Sequence, residues 1–149
     1  FTLVIADTGK RGRTSVAVGH VRELLEKEPS RVNGVIRKLS DLTEQVQAAL
    51  AAGDTESLGS AMNAAHIELA SLGVSSPELD HLVRVASDSG AVGAKMTGGG
   101  MGGCVIALAP NSEVAYSIAT GLRTSGASRA WISSLASVTT GSVPIKEIR

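Results

Sequence analysis

Lys95-Met96-Thr97-Gly98-Gly99-Gly100-Met101-Gly102-Gly103-Cys104 is the stretch that decides how this chain is read. Five glycines within positions 98–103 remove the side chains that keep a ligand away from a backbone. Glycine also reaches φ > 0 at little cost. Successive N–H groups can then point into one concavity, a backbone nest suited to phosphate or another anion. The flanking runs, residues 91–97 and 104–109, are apolar enough to read as strands. A glycine loop between two such strands, with Lys95 at its mouth, predicts a nucleotide or phosphate site.

Two better-known glycine motifs do not fit. Positions 98–103 match G-x-G-x-x-G as a string, but that fingerprint needs a helix opening on the glycines and an acidic residue about 20 positions on. Here the glycines run into Val105-Ile106-Ala107-Leu108, and Ser125-Gly126 stands where the acid belongs. No G-K-S or G-K-T is present, which excludes a P-loop. A plain hairpin or bulge loop, its glycines serving only the turn, is the remaining alternative.

The chain has 149 residues, 43% of them apolar, and a mean hydropathy of +0.18, values that predict one globular domain with a real core. Fourteen basic and fourteen acidic residues cancel, and there is one Phe, one Tyr and one Trp. Without a basic excess or stacking aromatics, the composition argues against nucleic acid and anionic lipid as partners. Cys104 is the single cysteine. It can form no internal disulfide, favours a reducing, cytoplasmic setting, and reads as a small strand residue rather than a reactive thiol. No apolar run approaches the ~20 residues that span a bilayer. The sequence opens on Phe1 inside an apolar run, without Met, and reads as part of a longer protein.

Residues 1–7 predict a buried strand and residues 8–13 a polar, glycine-punctuated loop. A helix is expected from Thr14 to Glu28, stopped by Pro29. Val32, Val35, Ile36, Leu39, Leu42 and Val46 follow the helical period toward Gly53. A third helix is expected over 54–72, ending at Gly73. A fourth is capped by Ser76 with Pro77 in its first turn and stops at Gly90. Ser112 is the expected cap of a helix ending at Gly126, and residues 130–132 predict a last short strand. Residues 1–138 form the domain, and 139–149 are a tail without clear pattern. This order predicts an α/β (α+β) fold, a small mixed sheet of ferredoxin-like split βαβ type with additional packed helices.

Four ordered segments carry a resemblance. The 95–104 loop resembles the third motif of the GHMP kinases. Ile5-Ala6-Asp7-Thr8-Gly9 with Thr14, Met62-Asn63 with His66 followed by residues 72–80, and Ala130-Trp131-Ile132 are similar to segments of that family's mevalonate-phosphorylating branch. Two departures stand out: Ala65 where Asn or His is common, and Met101 inside the glycine run. The match is to the GHMP kinase C-terminal domain. The family's first and second motifs are absent from this sequence.

The resemblance implies transfer of the γ-phosphoryl group of ATP to the 5-hydroxyl of mevalonate, with phosphomevalonate or homoserine as alternative acceptors. It places the general base and the Mg²⁺ ligands in an N-terminal GHMP domain of the same chain. No catalytic residue and no metal ligand is therefore assigned here, and the piece alone should be inactive. The backbone of Gly98, Gly99, Gly100, Met101, Gly102 and Gly103 would face the phosphates of ATP. Thr14 would sit at the substrate end of the cleft or, on a plainer reading, cap its helix. Arg13 or Arg11 could pair with a substrate carboxylate and His66 could touch substrate, although a packing role suits that histidine better. Lys95 is a candidate phosphate partner, and Asp7 reads as a turn former. Partner readings from a different class are a non-catalytic anion-binding module and, through exposed apolar surface, a homodimer.

Overall fold

The computed structural model describes residues 1–134 and 145–148. Strand β1 (Thr2–Asp7) is followed by four helices, α1 (Thr14–Lys27), α2 (Pro29–Ala52), α3 (Thr55–Ser71) and α4 (Pro77–Asp88). Strands β2 (Gly93–Thr97) and β3 (Cys104–Ala109) flank the glycine loop, and α5 (Ser112–Thr124), β4 (Arg129–Ser134) and β5 (Ile145–Ile148) complete the chain. The sheet order is β2-β3-β1-β4-β5. With α4 and α5 as crossovers, β1, β2, β3 and β4 reproduce the expected ferredoxin-like split arrangement, and α1, α2 and α3 are the additional helices.

Two sheet expectations are corrected. Every neighbouring pair is antiparallel, so the sheet is not mixed. The run of helices carries the chain from β1 to β2, and β3 then fills the space between them, antiparallel to both. The second concerns the 139–149 tail, read as patternless: residues 145–148 form a strand, and the rest of the tail lies outside the described residues. The strand pairs with β4, but residues 145–147 are exposed, so no apolar alternation marks it. Lys146 Nζ secures it by donating to the Tyr116 hydroxyl on α5 at 2.7 Å.

Alternation along the strands divides the core. Val4, Ala6, Val105 and Ala107 point to the face covered by Leu79, Leu82 and Ala86 of α4 and by Ile118, Ala119 and Leu122 of α5. Leu3, Ile106 and Leu108 point to the other face, where Ala49 of α2 and Leu58 and Met62 of α3 meet them. Each fully buried leucine or isoleucine here is worth roughly 1.5–3 kcal/mol.

The helix ends follow local chemistry. Asp54 accepts the Ser57 N–H at 3.0 Å, and the Ser76 hydroxyl accepts the Leu79 N–H. Gly53 and Gly73 take the left-handed conformation at φ +69° and +72°. Pro29 is the first residue of α2, with Glu28 serving as the junction between the two helices. The cap of α5 is Asn111, whose side chain accepts the Val114 N–H at 2.9 Å, and not Ser112. Among the described residues, no helix is long and apolar enough to cross a membrane.

Helix α3 lies almost backbone to backbone against β2. A Cβ on Gly93 would overlap the main chain of Gly59, whereas Gly34, inside α2, has nothing within 4 Å. Gly93→Ala should therefore destabilise the protein by about 1–3 kcal/mol through overpacking. Gly34→Ala should stabilise it by roughly 0.5–1 kcal/mol through helix propensity. Urea midpoints moving in opposite directions would bear this out, and a neutral Gly93→Ala would refute the close approach.

Candidate functional site

Three segments far apart in sequence are fastened together at one end of the sheet. Asp7 closes a turn by accepting the Gly9 N–H at 2.9 Å, as its place after β1 predicts. Thr8 follows and reaches across to the glycine loop. Its backbone N–H and its hydroxyl both donate to the Gly103 carbonyl, at 2.9 and 2.8 Å. Gly103 N–H donates to Lys10 O at 2.9 Å, and Arg13 N–H donates to Gly100 O at 3.2 Å. The α3–α4 turn supplies the third strap, since Met101 N–H donates to Val74 O at 2.8 Å.

Such close contact depends on missing side chains. A Cβ on Gly99 would fall inside the Thr14 side chain, one on Gly100 would strike the Val74 carbonyl, and one on Gly102 would approach Lys10 O to 2.9 Å. Gly98, Gly100, Gly102 and Gly103 all have positive φ. Met101 does as well at 54°, and it is the only non-glycine residue to do so among the described residues. That conformation costs a non-glycine residue about 1–2 kcal/mol, and the Val74 bond offsets part of the cost.

These bonds refine the expected nest. Met101 and Gly103 spend their N–H groups on the straps. The N–H groups of Gly98, Gly99, Gly100 and Gly102 make no hydrogen bond among the described residues, and of these four Gly98 and Gly99 are exposed. Beside them α1 begins. Its N-cap position is Arg13 with no side-chain cap bond, and its first turn carries no acidic residue. Thr14 is thus not the cap. It is the first helical residue, exposed, with its hydroxyl against Gly99 and uncommitted among the described residues. Two free amides, a free hydroxyl and the positive end of a helix dipole converge here, a set of donors suited to an anion. Arg11 and Arg13 are exposed nearby, without a side-chain partner among the described residues.

A groove of about 330 Å³ runs from these donors between α1 and β2, walled by Ala17, Val18, Val21 and Val74 and ending on Gly98 and Gly99. Lys95 borders it, but its Nζ donates to Met96 O at 2.7 Å, and burial lowers its pKa. A larger cavity of about 490 Å³ lies between the sheet and α2–α3. Thr43 and Lys95 are its only polar lining side chains, so it lacks the donors a phosphate requires. Lys10 forms an ion pair with Glu78 at the start of α4, and the hydrogen bond from Lys10 brings the Glu78 carboxyl down to about 2. Cys104 is an inert strand residue: burial, and then the charge of Asp7, push its thiol pKa up.

His66 is withdrawn from the cleft. It is buried, its Nδ1 accepts the Met96 N–H at 3.3 Å, and its Nε2 donates to Asp80 Oδ1 at 3.1 Å. Neither ring nitrogen is left for a substrate. Asn63, one turn earlier, also grips β2: Ala94 N–H donates to its Oδ1 at 2.9 Å and its Nδ2 donates to Val92 O at 3.3 Å. The pattern Asn63-x-x-His66 on an apolar helix was the available signal, since two polar side chains on a core-facing stripe need partners.

The family described as GHMP kinases C terminal matches residues 46–128. The chain belongs to the GHMP kinases and carries their C-terminal domain. Mevalonate kinase of Aeropyrum pernix is 42% identical over 113 residues, which cover 76% of this chain and 35% of that protein. The crystal structure of Leishmania major mevalonate kinase in complex with R-mevalonate aligns at a TM-score of 0.84 and 32% identity, over 88% of this chain and 41% of that one. Phosphomevalonate kinase of Streptococcus pneumoniae, solved with phosphomevalonate and AMPPNP, shares the fold at a TM-score of 0.73 and 18% identity, over 87% and 38% of the two chains. The chain spans a little over a third of the length of the relatives it matches.

Burial lowers the His66 pKa, against the opposing pull of Asp80, while Lys95 adds to the lowering. Between the folded value and the ordinary imidazole value near ~6.5, the unfolded chain binds more protons than the folded one. Stability present above about pH 6.5 should therefore decline as the pH falls through that window. Urea midpoints of the wild type and His66→Gln, compared from about pH 8 to about pH 5.5, should diverge at the acid end. Parallel curves would exclude His66 as the source.

Proposed function

We propose that this chain is the C-terminal domain of a mevalonate kinase, acting in isoprenoid biosynthesis in the cytoplasm and forming one wall of a cleft completed by an N-terminal GHMP domain. One observation supports this most: the uncommitted Gly98 and Gly99 amides lie at the Thr14 end of a loop whose residues Gly100, Met101 and Gly103 are strapped to the protein. Phosphoryl transfer demands alignment and stabilisation of charge on the transferring group more than covalent chemistry. Rigid amides supply that stabilisation without reorganising during the reaction.

In this reading the γ-phosphoryl oxygens of ATP lie against Gly98 and Gly99. The Thr14 hydroxyl orients the acceptor oxygen, and Arg13 or Arg11 offers a guanidinium to the acceptor carboxylate. Mg²⁺ supplies charge neutralisation on the phosphates when bound. The family resemblance assigns its ligands to the N-terminal domain. The general base is assigned there too. Mevalonate is preferred to phosphomevalonate and homoserine as acceptor because the relatives at 34–42% identity are named mevalonate kinases.

A coupled ADP-release assay on the full-length parent, with each of the three acceptors, tests the assignment. Turnover should depend on mevalonate, and this chain alone should give none. Gly99→Ala, which drives a methyl into Thr14, should lower kcat by about a hundredfold, the scale expected of a small misplacement at a phosphoryl site. Thr14→Val should lower it about tenfold or more through loss of one hydrogen bond. A Gly99→Ala enzyme with unchanged kcat would remove the loop from the mechanism, and turnover with another acceptor would reassign the substrate.

A further inference from the structure

Strand β2 is an edge strand of the sheet, yet its outer side is not bare. Ala94 and Met96, two residues apart, direct their N–H groups into Asn63 Oδ1 and His66 Nδ1, and Asn63 Nδ2 returns a bond to Val92 O. Asn63 and His66 are three residues apart, so one face of α3 presents both, and their spacing meets the period of the strand. Helix α3 does the work of a missing neighbour strand, which an edge otherwise offers to any other chain. The close Gly59–Gly93 contact brings the helix near enough for these short side chains to reach.

His66 does more than satisfy an amide. Its Nε2 holds Asp80 Oδ1, which also accepts the Ser75 hydroxyl at 2.5 Å. Ser75 adjoins Val74, whose carbonyl holds the Met101 N–H. Met96, on the other side of the ring, lies two residues before Gly98. One imidazole thus grips both the strand that feeds the glycine loop and the turn that latches its middle.

We propose that His66, seconded by Asn63, is a positioning residue that fixes the 98–103 loop by taking the place of a strand beside β2. This rests on the phosphoryl-transfer reading for its kinetic consequence, though not for its structural one. A neutral ring is required, because a proton on Nδ1 would set a donor against the Met96 N–H. Asp80 from α4 and Lys95 from β2 are the charged groups that act on this ring.

Amide hydrogen exchange and kinetics on the full-length parent test the proposal together. In His66→Leu, exchange at Met96 and at the strapped Met101 and Gly103 amides should accelerate about tenfold or more relative to the α5 core, a local change rather than a global one. In the same variant kcat should fall about tenfold with the acceptor KM little changed. His66→Gln, which can still accept from Met96 and donate to Asp80, should recover most of both losses. Should His66→Leu not fold, Asn63→Leu carries the same test at Ala94. Uniform acceleration across all amides, or unchanged loop exchange in a folded variant, would overturn the proposal. If the parent turns over no acceptor, the kinase reading falls, while the exchange pattern still decides whether His66 fixes the loop.

Discussion

Four backbone hydrogen bonds between loops determine the candidate site, Thr8 to Gly103, Gly103 to Lys10, Arg13 to Gly100 and Met101 to Val74, after the Asp7 carboxylate has closed its turn on the Gly9 N–H. Such bonds need main chains in direct contact, and a Cβ at Gly99, Gly100 or Gly102 would prevent it. The glycines are therefore explained twice. They bring three loops together, and as a consequence they leave other amides exposed. The two roles are not alternatives, because an amide that has to face a ligand must be held by neighbours that face the protein. The plain turn reading of the loop and the anion-site reading describe different N–H groups of the same six residues.

The sheet transmits this arrangement inward. Antiparallel pairing sets Asp7 opposite Cys104 and Thr97 opposite Cys104 from the other side, so the ends of β1, β2 and β3 open at one level. The loops leaving those ends have little choice but to meet. Small residues keep the layers close: Ala6, Ala94, Ala107, Ala119 and Ala130 are fully buried between the sheet and α4–α5. Close packing of this kind deforms little, which suits a site built from main-chain donors.

Much of this architecture was legible in the sequence because it is local. Asp54 and Ser76 cap helices by reaching an amide three residues ahead, and Gly53 and Gly73 end them through their own φ. The order of strands and helices followed from periodicity and sufficed to predict the split arrangement. What escaped was set by tertiary contact. Asn111 and Ser112 are both competent caps, and only the backbone path chooses between them. Helix α1 starts at Thr14 as expected, but Arg13, whose N–H bonds to Gly100 O, holds the cap position that Thr14 resembles. Strand β5 has exposed side chains and is held by pairing with β4 and by Lys146 over the Tyr116 ring at 5.1 Å from its centroid, contacts that no pattern records. Which of the six loop amides stay uncommitted depends on Val74 and Lys10, distant in sequence, accepting the Met101 and Gly103 N–H groups.

Polar and apolar space are divided on this domain in a way that suits the proposed shared cleft. The larger cavity is nearly all hydrocarbon and would favour another apolar surface, while the smaller groove ends in amides, a hydroxyl and a helix N-terminus. Among the described residues, the side chains without a partner at that end are Thr14, Arg11 and Arg13, whereas Asp7 accepts from Gly9, Glu78 pairs with Lys10, and Asp80 holds His66 and Ser75. A surface of this kind can bind and stabilise negative charge. Under the proposed reading, the acceptor proton leaves to a base on the N-terminal domain, and these donors hold the charge that develops on the phosphoryl group.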